Sequence, residues 1–274
     1  LGFAYPRADD PAIRNLDFDI EDGEVFGLLG PSGAGKSTTQ NVLIGLLEGY
    51  TGDVTVMGTP LDRWGNDYFE RIGVSFEVPN HFSKLTAREN LGFFASLYDG
   101  DKEDPVDLLD LVGLADQVDV RVGQFSKGMK HRLNFARSLL NRPSLWFLDE
   151  PTAGLDPINA RRIRDIVKDR QRGGTTTFLT THDMTVADDL CDRVGFIVDG
   201  RLEVIDSPTR LKHQYGTRTV LVKHDAGVAE FDLDGLAGDP AFQAVLRDHR
   251  IETMHSQETT LEQVFVEVTG RSLR

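Results

Sequence analysis

The run Gly30-Pro31-Ser32-Gly33-Ala34-Gly35-Lys36-Ser37-Thr38 follows directly on the apolar stretch Val25-Phe26-Gly27-Leu28-Leu29. Val42, Leu43, Leu46 and Leu47 come next at helical spacing. A strand, a glycine-rich loop and a helix in this order fit the phosphate-binding pattern G-x-x-x-x-G-K-[ST] at every fixed position. Backbone N–H groups freed of side-chain bulk can wrap phosphate oxygens, and the helix N-terminus adds partial positive charge. Lys36 can bridge the outer phosphates, and the Ser37 hydroxyl can ligate Mg²⁺. The whole run from Gly30 to Thr38 is therefore a candidate nucleotide-binding segment.

The 274 residues suffice for one large α/β domain, or one domain with an appendage. Acidic residues number 44 against 30 basic ones, a net charge of −14. Nucleic acids are bound by a basic surplus, so this balance argues against a DNA or RNA partner. The acidity fits a high-salt cytoplasm or equally an ordinary acidic protein. The single cysteine, Cys191, excludes an intrachain disulfide and is expected to pack in a helix. No apolar run approaches the ~18 residues that span a bilayer, so membrane association is expected through a partner. The first residue is Leu1 rather than Met, and a short leading piece of a strand is expected before it.

Leu16, Phe18 and Ile20 alternate with acids, as in a half-buried strand, and Val54–Gly58 reads as another. Residues 71–140 are helix-rich. Thr86-Ala87-Arg88-Glu89 has the form of a capping box, and a helix is expected over Pro105–Val112. Leu145–Leu148 and Thr176–Leu179 are short apolar β-type runs, suited to a parallel sheet covered on both faces. Gly195–Val204 reads as a hairpin turning at Asp199-Gly200. In the tail, strands are expected at Thr219–Val222 and Glu230–Leu233, and helices at Pro240–Asp248 and Leu261–Val268.

The strand Leu145–Leu148 ends in Asp149-Glu150. A carboxylate at the end of a buried strand beside a phosphate loop can hold Mg²⁺, which assigns Asp149 to the metal. The next acid, Glu150, can polarise an attacking water as general base.

These pieces have a familiar order. Asp149-Glu150-Pro151-Thr152-Ala153-Gly154-Leu155-Asp156-Pro157 resembles the segment from the Walker B strand to the D-loop of ABC-type ATPases. Phe125-Ser126-Lys127-Gly128-Met129 resembles a variant of that family's Leu-Ser-Gly-Gly-Gln signature. Arg132, Ala136 and Arg137 fit the helix after it, and Thr180-Thr181-His182 fits the switch histidine. Tyr5, between Phe3 and Pro6, fits the aromatic that stacks on adenine. The resemblance implies a P-loop α/β fold with a mainly parallel sheet, an antiparallel β-subdomain and a helical subdomain at about 77–140. The nucleotide-binding domain would be 1–215 and a small α/β extension 217–274. It further implies two ATPase subunits, homodimeric in the expected case, paired head to tail with ATP between one phosphate loop and the partner's signature. Ser126, Lys127, Gly128 and Met129 would then contact the other subunit's ATP, His182 the γ-phosphate, and Asp156 the dimer seam.

Three departures from the family pattern stand out. Glu77 occupies the Q-loop position counted back from Leu85-Thr86. It would join Ser37 and Asp149 at the metal, as in the E-loop of lantibiotic and bacitracin exporters, or else lie exposed by a loop offset. Lys127 replaces the first signature glycine and Met129 the closing glutamine, as in ABC-2-type exporters. Thr260–Arg271 resembles the C-terminal end of daunorubicin-resistance-like ATPases. The expected protein is thus the ATPase subunit of an ABC-2-type exporter, with ATP and Mg²⁺ as cofactors. It would sit on the cytoplasmic face of the membrane through its permease. An importer subunit, or a soluble ABC ATPase acting on nucleic acid or ribosomes, are the alternatives.

Overall fold

The computed structural model describes residues 1–216, 218–257 and 259–271. The chain packs as two compact units, one from Leu1 to Ile205 and one from Asp206 onward.

The first unit is built on β1 (Val25–Leu29), α1 (Lys36–Leu43), β2 (Thr55–Val56), β3 (Thr59–Pro60), α2 (Asp67–Arg71), β4 (Ile72–Ser75), α3 (Ala87–Ala95), α4 (Pro105–Leu111), α5 (Lys127–Arg137), β5 (Leu145–Asp149), α6 (Pro157–Arg172), β6 (Thr176–Thr181), α7 (Met184–Leu190), β7 (Arg193–Val198) and β8 (Arg201–Asp206). The main sheet has the order β4-β5-β6-β1-β7-β8. Strands β4, β5, β6, β1 and β7 pair in parallel. Every residue of β1 and β5 is buried, as in a sheet covered on both faces. Because these strands share one direction, the carboxyl ends of β1, β5 and β6 open on the same edge, where ligands of such sheets bind.

The strand β8 follows β7 through Asp199-Gly200, both at positive φ (48° and 73°), the backbone of a two-residue hairpin turn. The core carries Phe26, Phe147 and Phe178, with Phe18 stacked on Phe26 at 5.4 Å between ring centroids. Residues 16–20 alternate in burial as the sequence suggests but form no strand. Phe18 is held by ring packing against the sheet rather than by a ladder of backbone bonds. The strand expected over Val54–Gly58 is confined to β2, because Met57 and Gly58 turn at positive φ into β3.

Between β4 and β5 the chain forms the helices α3 to α5. Thr86 starts α3 with a complete capping box: its hydroxyl accepts from the Glu89 N–H at 3.2 Å, and the Glu89 carboxylate accepts from the Thr86 N–H at 2.8 Å. Such a cap is worth about 1 kcal/mol. Cys191 is buried at the C-terminal cap of α7 rather than within the helix.

The second unit contains α8 (Pro208–Tyr215), β9 (Thr219–His224), β10 (Gly227–Asp232), α9 (Pro240–Asp248), β11 (Ile251–Gln257) and α10 (Leu261–Thr269). Its antiparallel sheet has the order β10-β9-β11. Val220, Val222, Phe231 and Phe242 form its core, with Phe231 edge-on to Phe242 at 5.3 Å.

Candidate active site

The loop between β1 and α1 is shaped by two glycines. A Cβ on Gly30 would lie 2.1 Å from the Ile197 carbonyl oxygen, so only glycine fits against β7. Gly35 holds φ at 108°, a conformation closed to side chains, and caps α1. The N–H groups that open α1 thereby face the mouth of the loop, an arrangement suited to anions.

Lys36 is buried, and its Nζ donates to the carbonyls of Gly30 at 2.6 Å and Pro31 at 2.9 Å. Burial pushes its pKa down, while Glu150, Asp149 and Glu77 pull it back up. The ammonium thus stands among three carboxylates at the sheet edge. Ser37 Oγ donates to Asp149 Oδ2 at 3.4 Å. Asp149 is buried, and desolvation raises its pKa; the negative charge of Glu77 adds to that rise. The Thr180 hydroxyl opposes it through a short hydrogen bond to Asp149 Oδ1. Ser37, Asp149 and Glu77 therefore stand within electrostatic reach of one another. Glu77 is exposed, and its charge acts on Asp149 and Lys36. Three hard oxygen donors around a carboxylate held above its ordinary range are a donor set fit for Mg²⁺.

Glu150 lies one residue further along and points elsewhere. It is a non-glycine residue at φ 48°, with its N–H bonded to the Thr180 carbonyl at 2.9 Å. Strained backbone of this kind clusters at functional positions. Its Oε2 accepts from the Thr181 hydroxyl at 2.9 Å. Its Oε1 accepts from the His182 N–H at 2.9 Å and lies 2.6 Å from His182 Nδ1. Thr180 and Thr181 are absent from the site read out of the sequence, although each hydroxyl holds one catalytic-type carboxylate. Their signal was a pair of threonines ending a buried strand just before His182.

Tyr5 is half exposed, and its hydroxyl is 3.1 Å from Thr38 Oγ1, so its ring stands beside the end of the phosphate loop. Phe3 supports that ring edge-on at 5.0 Å.

A second group of expected residues lies together elsewhere in the unit. Ser126 caps α5, its Oγ accepting from the Met129 N–H at 3.2 Å, which leaves the hydroxyl hydrogen to donate. Gly128 faces Leu155, and Lys127 passes close to Gly154, so the signature packs on the loop that leads to Asp156. Asp156 is an exposed N-cap of α6, accepting from the N–H groups of Ile158 and Asn159. These bonds hold its carboxyl below the ordinary range. His131 on α5 is buried, and burial pushes its pKa down while the Pro151 backbone pulls it back up. Among the described residues no hydrogen bond or ion pair joins Ser126–Met129 to the phosphate loop. The two groups are therefore separate within one chain.

Residues 13–153 match the ABC transporter family, and residues 218–258 match the fluoroquinolone efflux ABC transporter C-terminal domain. The chain belongs to the ABC transporter family, as one of its ATP-binding, ATP-hydrolysing components. A fluoroquinolones export ATP-binding protein of Mycobacterium tuberculosis (strain ATCC 25618 / H37Rv) is 60% identical over 100% of this chain and 92% of that protein. The linearmycin resistance ATP-binding protein LnrL of Bacillus subtilis (strain 168) is 31% identical over 96% of this chain and 94% of that protein. Among solved structures, an ATP-binding cassette described as dimeric, post-hydrolysis and bound to ADP and Pi superposes with a TM-score of 0.68. It is 26% identical, covering 75% of this chain and 95% of that one.

Proposed function

We propose that this chain is the ATPase subunit of an exporter of fluoroquinolone-type drugs, acting as a homodimer on the cytoplasmic face of the membrane beneath an ABC-2-type permease. The observation that carries the reading is the 60% identity to a fluoroquinolones export ATP-binding protein along the whole chain. The match of residues 218–258 to a fluoroquinolone efflux C-terminal domain supports it from the second unit. No helix among the described residues is long and apolar enough to cross a membrane, so the pore is assigned to a partner.

In this reading Tyr5 stacks on the adenine, and the N–H groups from Gly30 to Thr38 hold the phosphates. Lys36 leaves the Gly30 and Pro31 carbonyls to donate to the outer phosphates. Ser37, Asp149 and Glu77 would hold Mg²⁺, which offsets phosphate charge. Glu150 takes the proton of the attacking water, and His182, oriented by Glu150 Oε1, donates toward the γ-phosphate. Ser126 and the N–H groups through Met129 would complete the site of the other subunit, so ATP closes the dimer and hydrolysis removes the charge that held it. Asp156 lies at the dimer seam and couples the two sites. The first unit does this work, and the second stabilises or regulates the pair.

The permease is assigned to the surface of residues 77–125. Val78, Phe82, Phe93 and Leu97 are exposed there, with Phe82 and Phe93 in edge-on contact at 5.0 Å. Exposed apolar groups clustered in this way mark a protein–protein surface. Beginning next to Glu77, this surface can pass movement at the nucleotide to the membrane partner.

The test is drug accumulation in cells expressing the chain with its permease. The wild type is expected to lower fluoroquinolone accumulation relative to Lys36→Ala. Equal accumulation in the two strains, with both proteins in the membrane, would contradict the export reading.

A further inference from the structure

In the second unit His224, Asp225 and His249 each offer one ligand atom, and these atoms lie within 4.8 Å of one another. We propose that they form a site for one zinc-type divalent cation, with a fourth position open to water.

The three residues come from two segments that the fold brings together. His224 ends β9, Asp225 opens the turn into β10, and His249 caps α9 before β11. The Asp225 N–H donates to the Arg250 carbonyl at 3.1 Å, which pins the hairpin turn to the joint between α9 and β11. Pairing of β11 with β9 begins at the same point, Ile251 opposite His224. The side chains are thus placed by backbone bonds and not by their own contacts alone.

Asp225 Oδ1 lies 3.0 Å from His249 Nδ1 and 4.0 Å from His224 Nδ1. Tetrahedral ligation at about 2.0–2.1 Å from the metal separates neighbouring ligand atoms by about 3.3 Å, and the two distances bracket that value. The imidazoles lie 4.5 Å apart between centroids, tilted by 39°. His224 Nδ1 faces the same carboxylate oxygen while accepting from the Ala226 N–H at 3.4 Å, a long bond that a cation at Nδ1 would replace. Two imidazole nitrogens and one carboxylate oxygen suit zinc and its first-row neighbours. Magnesium and calcium take all-oxygen sets. The side chain of His224 is 10% exposed and that of Asp225 55%, leaving one side of the cluster open to water. Lys223, the next residue back along β9, is engaged by Glu252 at 2.8 Å. A bound cation would clamp the hairpin to the joint, so binding energy would become stability of this unit.

The test uses tag-free full chain stripped with chelator, titrated with Co²⁺ and with Zn²⁺ in excess Mg²⁺ and without nucleotide. One equivalent of Co²⁺ is expected, with the visible bands of a four-coordinate ion, and Zn²⁺ should raise the thermal transition of the wild type. His224→Ala, which spares the His249–Asp225 hydrogen bond, and His249→Gln, which keeps an amide donor to Asp225, should each weaken binding at least about tenfold. Both should keep the basal ATPase rate and the melting temperature seen in chelator. Absence of Co²⁺ uptake by the wild type, or wild-type affinity in both variants, would overturn the site.

Discussion

Glu150 Oε1 is gripped twice by His182, through the backbone N–H at 2.9 Å and through Nδ1 at 2.6 Å. The carboxylate proposed to polarise water and the imidazole proposed to meet the γ-phosphate are therefore one positioned pair. Glu150→Gln keeps the shape and the acceptor oxygen but cannot take a proton. Phosphate release at saturating MgATP should fall by about 10²–10⁴-fold, the contribution of a lost general base. His182→Ala should also slow release while leaving ATP affinity much less affected. Wild-type turnover in Glu150→Gln would remove the assignment.

The burial of the Asp149 carboxyl carries a stability cost. Burial first, and Glu77 second, hold its carboxyl above the ordinary range in the folded chain. Between the ordinary and the raised value, the unfolded chain gives up its proton before the folded one does. Stability therefore falls as pH rises through that window, and the cost is fully present above it. Asp149→Asn should raise the melting temperature of the nucleotide-free protein at neutral pH, by about 2 °C or more. It should also abolish Mg²⁺-dependent hydrolysis. Calorimetry on nucleotide-free protein with and without the substitution checks this; a lower melting temperature would show that the carboxylate is not a burden.

Tyr5 is tested by separating its ring from its hydroxyl. Tyr5→Ala should weaken ATP binding by about 1–3 kcal/mol, roughly 5- to 150-fold, if the ring stacks on the base. Tyr5→Phe loses the contact with Thr38 but keeps the face, and its affinity should stay close to that of the wild type. A fluorescent ATP analogue titrated into the three proteins distinguishes stacking from a purely structural tyrosine.

Much of this site could be read in the chain because its parts are local. The phosphate loop is a continuous segment whose shape is set by its own glycines, and Asp149-Glu150 announces itself at the end of an apolar strand. The hairpin at Asp199-Gly200 and the Thr86 cap were legible for the same reason. What stayed hidden depends on partners distant in sequence. The Lys36 ammonium rests on the carbonyls of Gly30 and Pro31, and Thr180 and Thr181 reach the carboxylates only because β6 lies against β5 in register. The strand β11 was missed because Ile251-Glu252-Thr253-Met254-His255-Ser256-Gln257 has no alternation of apolar and polar residues. It is an edge strand exposed along most of its length, and β9 rather than a buried face decides its conformation.

Glu77 distinguishes this site from the glutamine pattern of the family. Its charge reaches Asp149, Lys36 and His131 together. Glu77→Gln should preserve ATP binding, raise the Mg²⁺ concentration needed for half-maximal turnover, and change the stimulation of ATPase by the permease. Turnover measured against Mg²⁺, with and without reconstituted permease, reads both effects. Identical curves for the two proteins would leave Glu77 a surface residue.

The signature at Ser126–Met129 and the phosphate loop at Gly30–Thr38 share no hydrogen bond or ion pair among the described residues, and in the proposed function each is completed by a second copy. Sedimentation of the Glu150→Gln chain, with MgATP at saturation and then without nucleotide, examines that dependence. Dimers with MgATP and monomers without it are expected. Unassociated chains at saturating MgATP, in the presence of the permease as well as in its absence, would contradict a site shared between two subunits.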